Sequence, residues 1–244
     1  MRKRKKIRDL LYISGEHQTK CFYSYGIEFR EFMNCVPNSP ENLLLLKHSF
    51  HHAQWNQHSG FEYVTKQNLH DLIEDDVYGY GDFCWVDFSN EQDLDGLTDK
   101  QIAELLFFAH RAKPLNQIPM RRFAYYAHDD GWFNKLYVTE LDDYKNLLAR
   151  VIALKLQKLT GRKFHDIPIE LSSVLLECTR DGLFIDLSRV IKSTTELKIP
   201  ITAIGHYTDM DKVNDFREEI KDYKAWLVYS KKSWKLIKED YLSD

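Results

Sequence analysis

Apolar positions along the chain repeat in two rhythms, and the elements they predict are interleaved. Spacings of three and four residues ask for amphipathic helices. Thr98 and Gln101 form a capping box ahead of Ile102, Leu105, Leu106 and Ala109, which share one stripe, so a helix is expected to start there. A longer helix is expected from about Leu141 to Leu159, with Leu148, Val151, Ile152 and Leu159 facing a core and Gly161 as its stop. A third is expected over residues 39–60, with Ser39 as N-cap, Pro40 in the first turn and Gly60 at the end. Residues 67–76 read as a short helix. The chain from about residue 212 onward reads as helical, with Val213, Phe216 and Ile220 on one face and Trp226, Leu227, Trp234 and Ile237 continuing the pattern.

The second rhythm is that of strands. Aromatic and β-branched residues dominate 20–33, Phe83–Phe88 is a short apolar run, and Ile199–Ile204 is another. Two hairpins are expected, near 123–138 around Asp130-Gly131 and near 174–187 around Asp181-Gly182, because Asp-Gly favours tight turns between strands. Loops are expected at 34–40, 79–82 and 114–119, where Pro, Asn and Gly gather. Strands and helices mix without regular βαβ alternation, and no Gly/Ser-rich linker divides the chain. The class expected is therefore α+β, a mainly antiparallel sheet packed with several helices, in a single globular domain over 9–244.

Charge changes this picture at one end. Six of the first eight residues are cations, from Arg2 to Arg8, whereas the remainder holds 28 basic against 37 acidic residues. A basic tip over 1–8 suits nucleic acid or anionic lipid, but an acidic body argues against broad nucleic-acid binding, which would run through Arg2–Arg8 alone. The four cysteines have no C-x-x-C spacing and read as buried thiols of a reducing compartment. No run of 18 apolar residues predicts a membrane span, and Asp9, Glu16 and His17 interrupt any secretory core, so the cytoplasm is the compartment expected.

Candidate chemistry centres on the 39–60 segment. At roughly 100° per residue, a helix would place His48, His51, His52, Trp55 and His58 within an arc of about 120°, opposite Leu43, Leu46, Phe50 and Ala53. His48 and His52, one turn apart, suit two ligands of a divalent metal such as zinc, with His51 and His58 beside them and His70, Asp71 or Glu74 to complete the shell. The plainer reading is a wet histidine surface. His128-Asp129-Asp130 would be either an acid–base group or ordinary turn chemistry. No G-x-S-x-G, Walker loop, G-x-G-x-x-G or H-E-x-x-H occurs. Aromatic groups interleave with polar ones, and Trp55, Trp85, Tyr126, His128 and Trp132 are the residues expected to anchor an interaction.

The function expected is that of a non-catalytic interaction protein, binding a protein partner through an acidic, aromatic-rich surface and needing no cofactor. One alternative is a metal-dependent hydrolase using the His48–His58 cluster, with Glu74 as base. The other is nucleic-acid binding through the basic N-terminus.

Overall fold

A computed structural model describes residues 9–75, 77, 78, 81–128, 133–220, 223 and 225–238. One antiparallel sheet runs through it. In chain order the elements are β1 (Leu10–Glu16), β2 (Cys21–Tyr25), α1 (Phe29–Cys35), β3 (Asn42–Leu45), β4 (Gln54–Asn56), β5 (Phe61–Thr65), α2 (Leu69–Glu74), β6 (Phe83–Phe88), α3 (Glu91–Asp95) and α4 (Asp99–Arg111). They continue as β7 (Phe123–Ala127), β8 (Phe133–Val138), α5 (Leu141–Thr160), α6 (Ile169–Cys178), β9 (Leu183–Asp186), β10 (Ile191–Lys192), β11 (Glu196–Ala203), α7 (Met210–Glu219), β12 (Ala225–Ser230) and β13 (Ser233–Lys238). Neighbours across the sheet are β13-β12-β11-β9-β1-β2-β8-β7-β6-β3-β5-β4, with β10 on β11. At about 4.8 Å per strand the sheet is roughly 50 Å wide. The α+β class with antiparallel pairing thus stands, and among the described residues no helix is long and apolar enough to cross a membrane.

Because strand side chains alternate, each strand feeds two layers. One layer is unbroken: Leu43, Leu45, Trp85, Tyr125, Phe22, Ile13, Ile185, Ile199 and Leu227 pack in one core with α1, α2, α5 and α6. Trp85 stacks on Tyr125 at 5.3 Å between centroids, and Phe22 stacks on Tyr144 of α5. The opposite layer is split. Leu44, Cys84, Val86, Ala124 and Tyr126 pack under α3 and α4, whereas Leu10, Tyr12, Tyr25 and Phe184 pack under Val213 of α7.

Several elements follow the sequence closely. The Thr98–Gln101 capping box opens α4 with both reciprocal bonds present. Gly161, at φ +70°, closes α5 in the left-handed region where glycine carries no steric cost. β7 and β8 form the first expected hairpin, whose turn at 129–132 lies outside the described residues.

Four expectations are corrected. Residues 39–60 are not a helix: they hold β3, a loop and β4. Leu43 and Leu45 enter one core and Leu44 the other, and a strand buried on both faces shows no polar alternation. Gly60 serves instead as a turn residue between β4 and β5, at φ +72°. The second hairpin, 174–187, is the end of α6, a 3-10 turn over Thr179–Asp181 and β9, with Leu175 and Leu176 buried in the main core. The C-terminal segment is helical only through Glu219. Residues 225–238 are the β12–β13 hairpin, whose Lys231 and Lys232 occupy turn positions at φ +49° and +62°. Turns of that shape favour Asn and Gly, so two lysines gave no hairpin signal. The 20–33 stretch is strand only to Tyr25 and then becomes α1.

Candidate functional site: a basic pocket at the end of the sheet

The β12–β13 turn forms one wall of a cavity of about 270 Å³. The end of α5 and the segment after it contribute Thr160, Arg162, Lys163 and Phe164. The tight β10–β11 hairpin contributes Lys192, Ser193, Thr194 and Thr195, and the turn itself contributes Lys231 and Lys232. Five cations therefore converge from three separate segments. Among the described residues the one carboxylate in the lining, Glu196, lies 3.5 Å from Lys198. The surplus of positive charge in a concave wall focuses the field on whatever enters.

Local structure fixes each wall. Ser193 Oγ accepts the backbone N–H of Glu196 at 2.9 Å, and Ser193 N–H donates to Glu196 O, which closes the β10–β11 turn. Lys192 Nζ donates to Leu159 O at 3.2 Å, placing a cation on the last turn of α5, where the helix dipole favours it. Trp234 Nε1 donates to His165 O at 2.8 Å and so ties the 162–165 segment to β13. Phe164, Tyr229 and Trp234 meet with centroids 4.8–5.8 Å apart, and the first two line the pocket. Lysines in the left-handed region cost about 1–2 kcal/mol each relative to an unstrained turn. Both of these lysines line the pocket.

The residues singled out from sequence do not gather into one site. His48 is buried edge-on against Phe83, at 5.2 Å, and burial pushes its pKa down. His51 and His52 are exposed, with ring centroids 3.9 Å apart, and both abut Phe50. His58 Nε2 pairs with Leu97 O at 2.6 Å. Glu74, the expected base, pairs with Arg30 at 3.0 Å. Among the described residues, no three His, Cys, Asp or Glu side chains are grouped so as to hold a metal. The shared histidine arc existed only on the helix that does not form.

Of the expected interaction anchors, Trp85 is wholly buried and Tyr126 nearly so, its hydroxyl donating to Asp82 at 2.6 Å. Lys47 reaches the same Asp82 oxygen at 2.8 Å. His128 is exposed at the end of β7, and Trp55 is 61% exposed on β4. Trp132 and the basic tip Arg2–Arg8 lie outside the described residues. Among the cysteines, burial pushes the thiols of Cys21 and Cys35 up to about 11, which suppresses the reactive thiolate.

Sequence reasoning missed the basic pocket because its cations are scattered. Arg162-Lys163 and Lys231-Lys232 are visible dipeptides, but only the hairpin brings the second against the first. Between residues 9 and 140 the chain has ten basic and twenty acidic residues, and from 141 to 244 eighteen and seventeen, so the positive wall stands out at one end. No protein-family model matches the chain, and no curated protein or solved structure is significantly similar to it.

Proposed function

We propose that the protein is a binding protein whose basic pocket takes a phosphorylated ligand of about nucleotide size. The observation that carries this reading is the convergence of Arg162, Lys163, Lys192, Lys231 and Lys232 on one cavity whose lone carboxylate is already paired. Phosphate oxygens accept from guanidinium, ammonium and hydroxyl donors, all of which line the walls. The rings of Phe164 and Tyr229 offer an apolar surface to a flat base. The test is calorimetric titration with a nucleoside triphosphate, alongside the unphosphorylated nucleoside. The expected result is binding of the triphosphate that weakens with salt, no binding of the nucleoside, and an at least tenfold loss in Lys231→Ser/Lys232→Ser. Absence of heat with the wild-type protein at low salt would remove the proposal.

A second reading rests on the other end of the sheet. Trp55 lies exposed on β4 opposite Glu62, with Asp95 bonded to the neighbouring Asn56 and α3 adding Glu91 and Asp93. An exposed tryptophan in an acidic setting suits an anchor for a basic protein partner. Trp55→Ala would abolish capture of such a partner while leaving triphosphate binding intact. Equal capture by the variant would reject the second reading alone.

A further inference from the structure

The α4 side of the split layer holds two neighbouring cavities and a buried carboxylate without a counter-charge. The first cavity, of about 420 Å³, lies between α4 and the loop that follows it, with Lys100, Gln101, Glu104, Asn116 and Gln117 in its walls. The second, of about 370 Å³, shares Gln101, Pro119 and Met120 with the first and is walled by Leu44, Val86, Phe88, Leu94, Leu97 and Leu105. One is polar and the other largely apolar, so together they suit a ligand with two unlike ends.

Glu104 is only 5% exposed. Lys100, Gln101 and Glu104 are three and four residues apart on α4, so the Glu104 side chain stands on the cavity side of the helix. Its Oε1 accepts the backbone N–H groups of Leu115 and Asn116, the latter at 2.8 Å. Its Oε2 accepts only Asn116 Nδ2, at 3.3 Å, which leaves Asn116 Oδ1 as a second acceptor beside it. All these donors are neutral. Lys100, one turn earlier, is exposed, and among the described residues no cation forms an ion pair with Glu104. A buried glutamate is ordinarily paired with a cation. The loop bonds do not require the charge, because a glutamine oxygen would accept the same two backbone N–H groups. A carboxylate has about four acceptor sites, so Oε2 has room for one more donor.

We propose that the two cavities bind an amphipathic primary amine, its ammonium paired with Glu104 and its apolar body among Leu94, Leu97 and Leu105. Charge complementarity favours a cation over an anion. The other carboxylates of the walls, Asp87 and Asp93, are engaged by backbone N–H groups, and Arg121 is paired with Glu41 at 3.4 Å. Across residues 9–140 acidic residues outnumber basic ones by twenty to ten, and the resulting field draws cations. An ammonium is a compact charge with three donors, and its bonds to a buried carboxylate are roughly twice as strong as neutral ones.

The test is calorimetric titration of the intact protein with phenethylamine, beside hydrocinnamate, which has a similar body and the opposite charge. The amine is expected to bind and the carboxylate is not. Glu104→Gln keeps an acceptor for the loop and should weaken the amine by about tenfold or more, with the fold intact by circular dichroism. Should that variant not fold, exposed Gln117→Lys supplies a competing ammonium in the first cavity and must weaken binding instead. Lys231→Ser/Lys232→Ser should bind the amine as the wild type does, so this site and the triphosphate pocket fail independently. No binding of the amine, equal binding of the carboxylate, or full affinity in Glu104→Gln would overturn the proposal.

Discussion

The two layers of the sheet are drawn from the same strands and differ in continuity. Under α1, α2, α5 and α6 the apolar contacts run unbroken from Leu43 to Leu227. On the other side they form two clusters, one reaching Cys21 and Tyr137 with Tyr23 packed against it, the other built on Tyr12 and Tyr25. An interior that is continuous distributes its cohesion over the whole width. A cover in two pieces leaves room for polar side chains that a full cover would have to desolvate. The comparison therefore assigns cohesion to one layer and chemical freedom to the other.

The sharpest way to break this assignment is by cavity formation. Trp85→Ala should cost about 3–5 kcal/mol in urea unfolding, whereas Val213→Ala under α7 should cost about 2 kcal/mol. Equal costs would mean that the split layer is as cohesive as the continuous one. Next in size is Glu31→Ala. Glu31 is buried between Lys155 and Lys158 at 2.8 and 2.9 Å, joining α1 to α5. Removing it strands a buried ammonium, at a cost of about 3 kcal/mol. Burial by itself would raise the Glu31 pKa, but the two ammonium groups outweigh it and hold the carboxyl below its ordinary value. The native state thus binds that proton less readily than the unfolded chain. The stabilisation is present above about pH 4.5 and is lost as pH falls through the folded value. An acid-unfolding curve for Glu31→Gln should lack that component.

A smaller effect has the opposite sign. Lys231→Asn/Lys232→Gly relieves two left-handed lysines and should raise stability by about 2 kcal/mol while weakening triphosphate binding about tenfold. A variant that gains stability and keeps its affinity would show that the strained turn serves no ligand. The smallest effect concerns His17, whose Nε2 pairs with Thr179 Oγ1 at 3.0 Å. Burial lowers its pKa, Arg180 adds to the shift, and Glu177 opposes it. Here the unfolded chain takes the proton first, so stability falls as pH drops below about 6.5. His17→Gln should flatten that slope in melts between pH 5 and 7.

Sequence patterning recovered the elements that own a local signal and lost those defined by neighbours. The box at Thr98, the stop at Gly161 and the run Phe83–Phe88 each carry their explanation within a few residues. β3 does not, because its four residues became a strand only by lying between β5 and β6, each of which offers a ladder on one side. The Leu run there fits either period, and the flanking Pro40 and Gly60 tipped the reading toward a helix. β12 and β13 were lost for a related reason, since their turn lacks the residues that ordinarily announce one. The basic pocket was illegible for a third reason: its charges are distant in sequence and meet only after that turn forms. Glu104 lies on a legible helix, but its period gave no sign that the loop at Leu115 and Asn116 would fold over it.

The open margins of the sheet bear on how molecules of this chain meet one another. A broad antiparallel layer with two free borders is a template for edge-to-edge growth into ribbons. Among the described residues, the borders are β4, three residues long, and β13, whose exposed positions include Lys235 and Lys238. The first is too short to seed a stable ladder, and the second meets any approaching copy with like charge. Growth is thus halted at one margin by brevity and at the other by repulsion. Replacing the β13 lysines with valine is expected to promote edge-to-edge association, which light scattering would register.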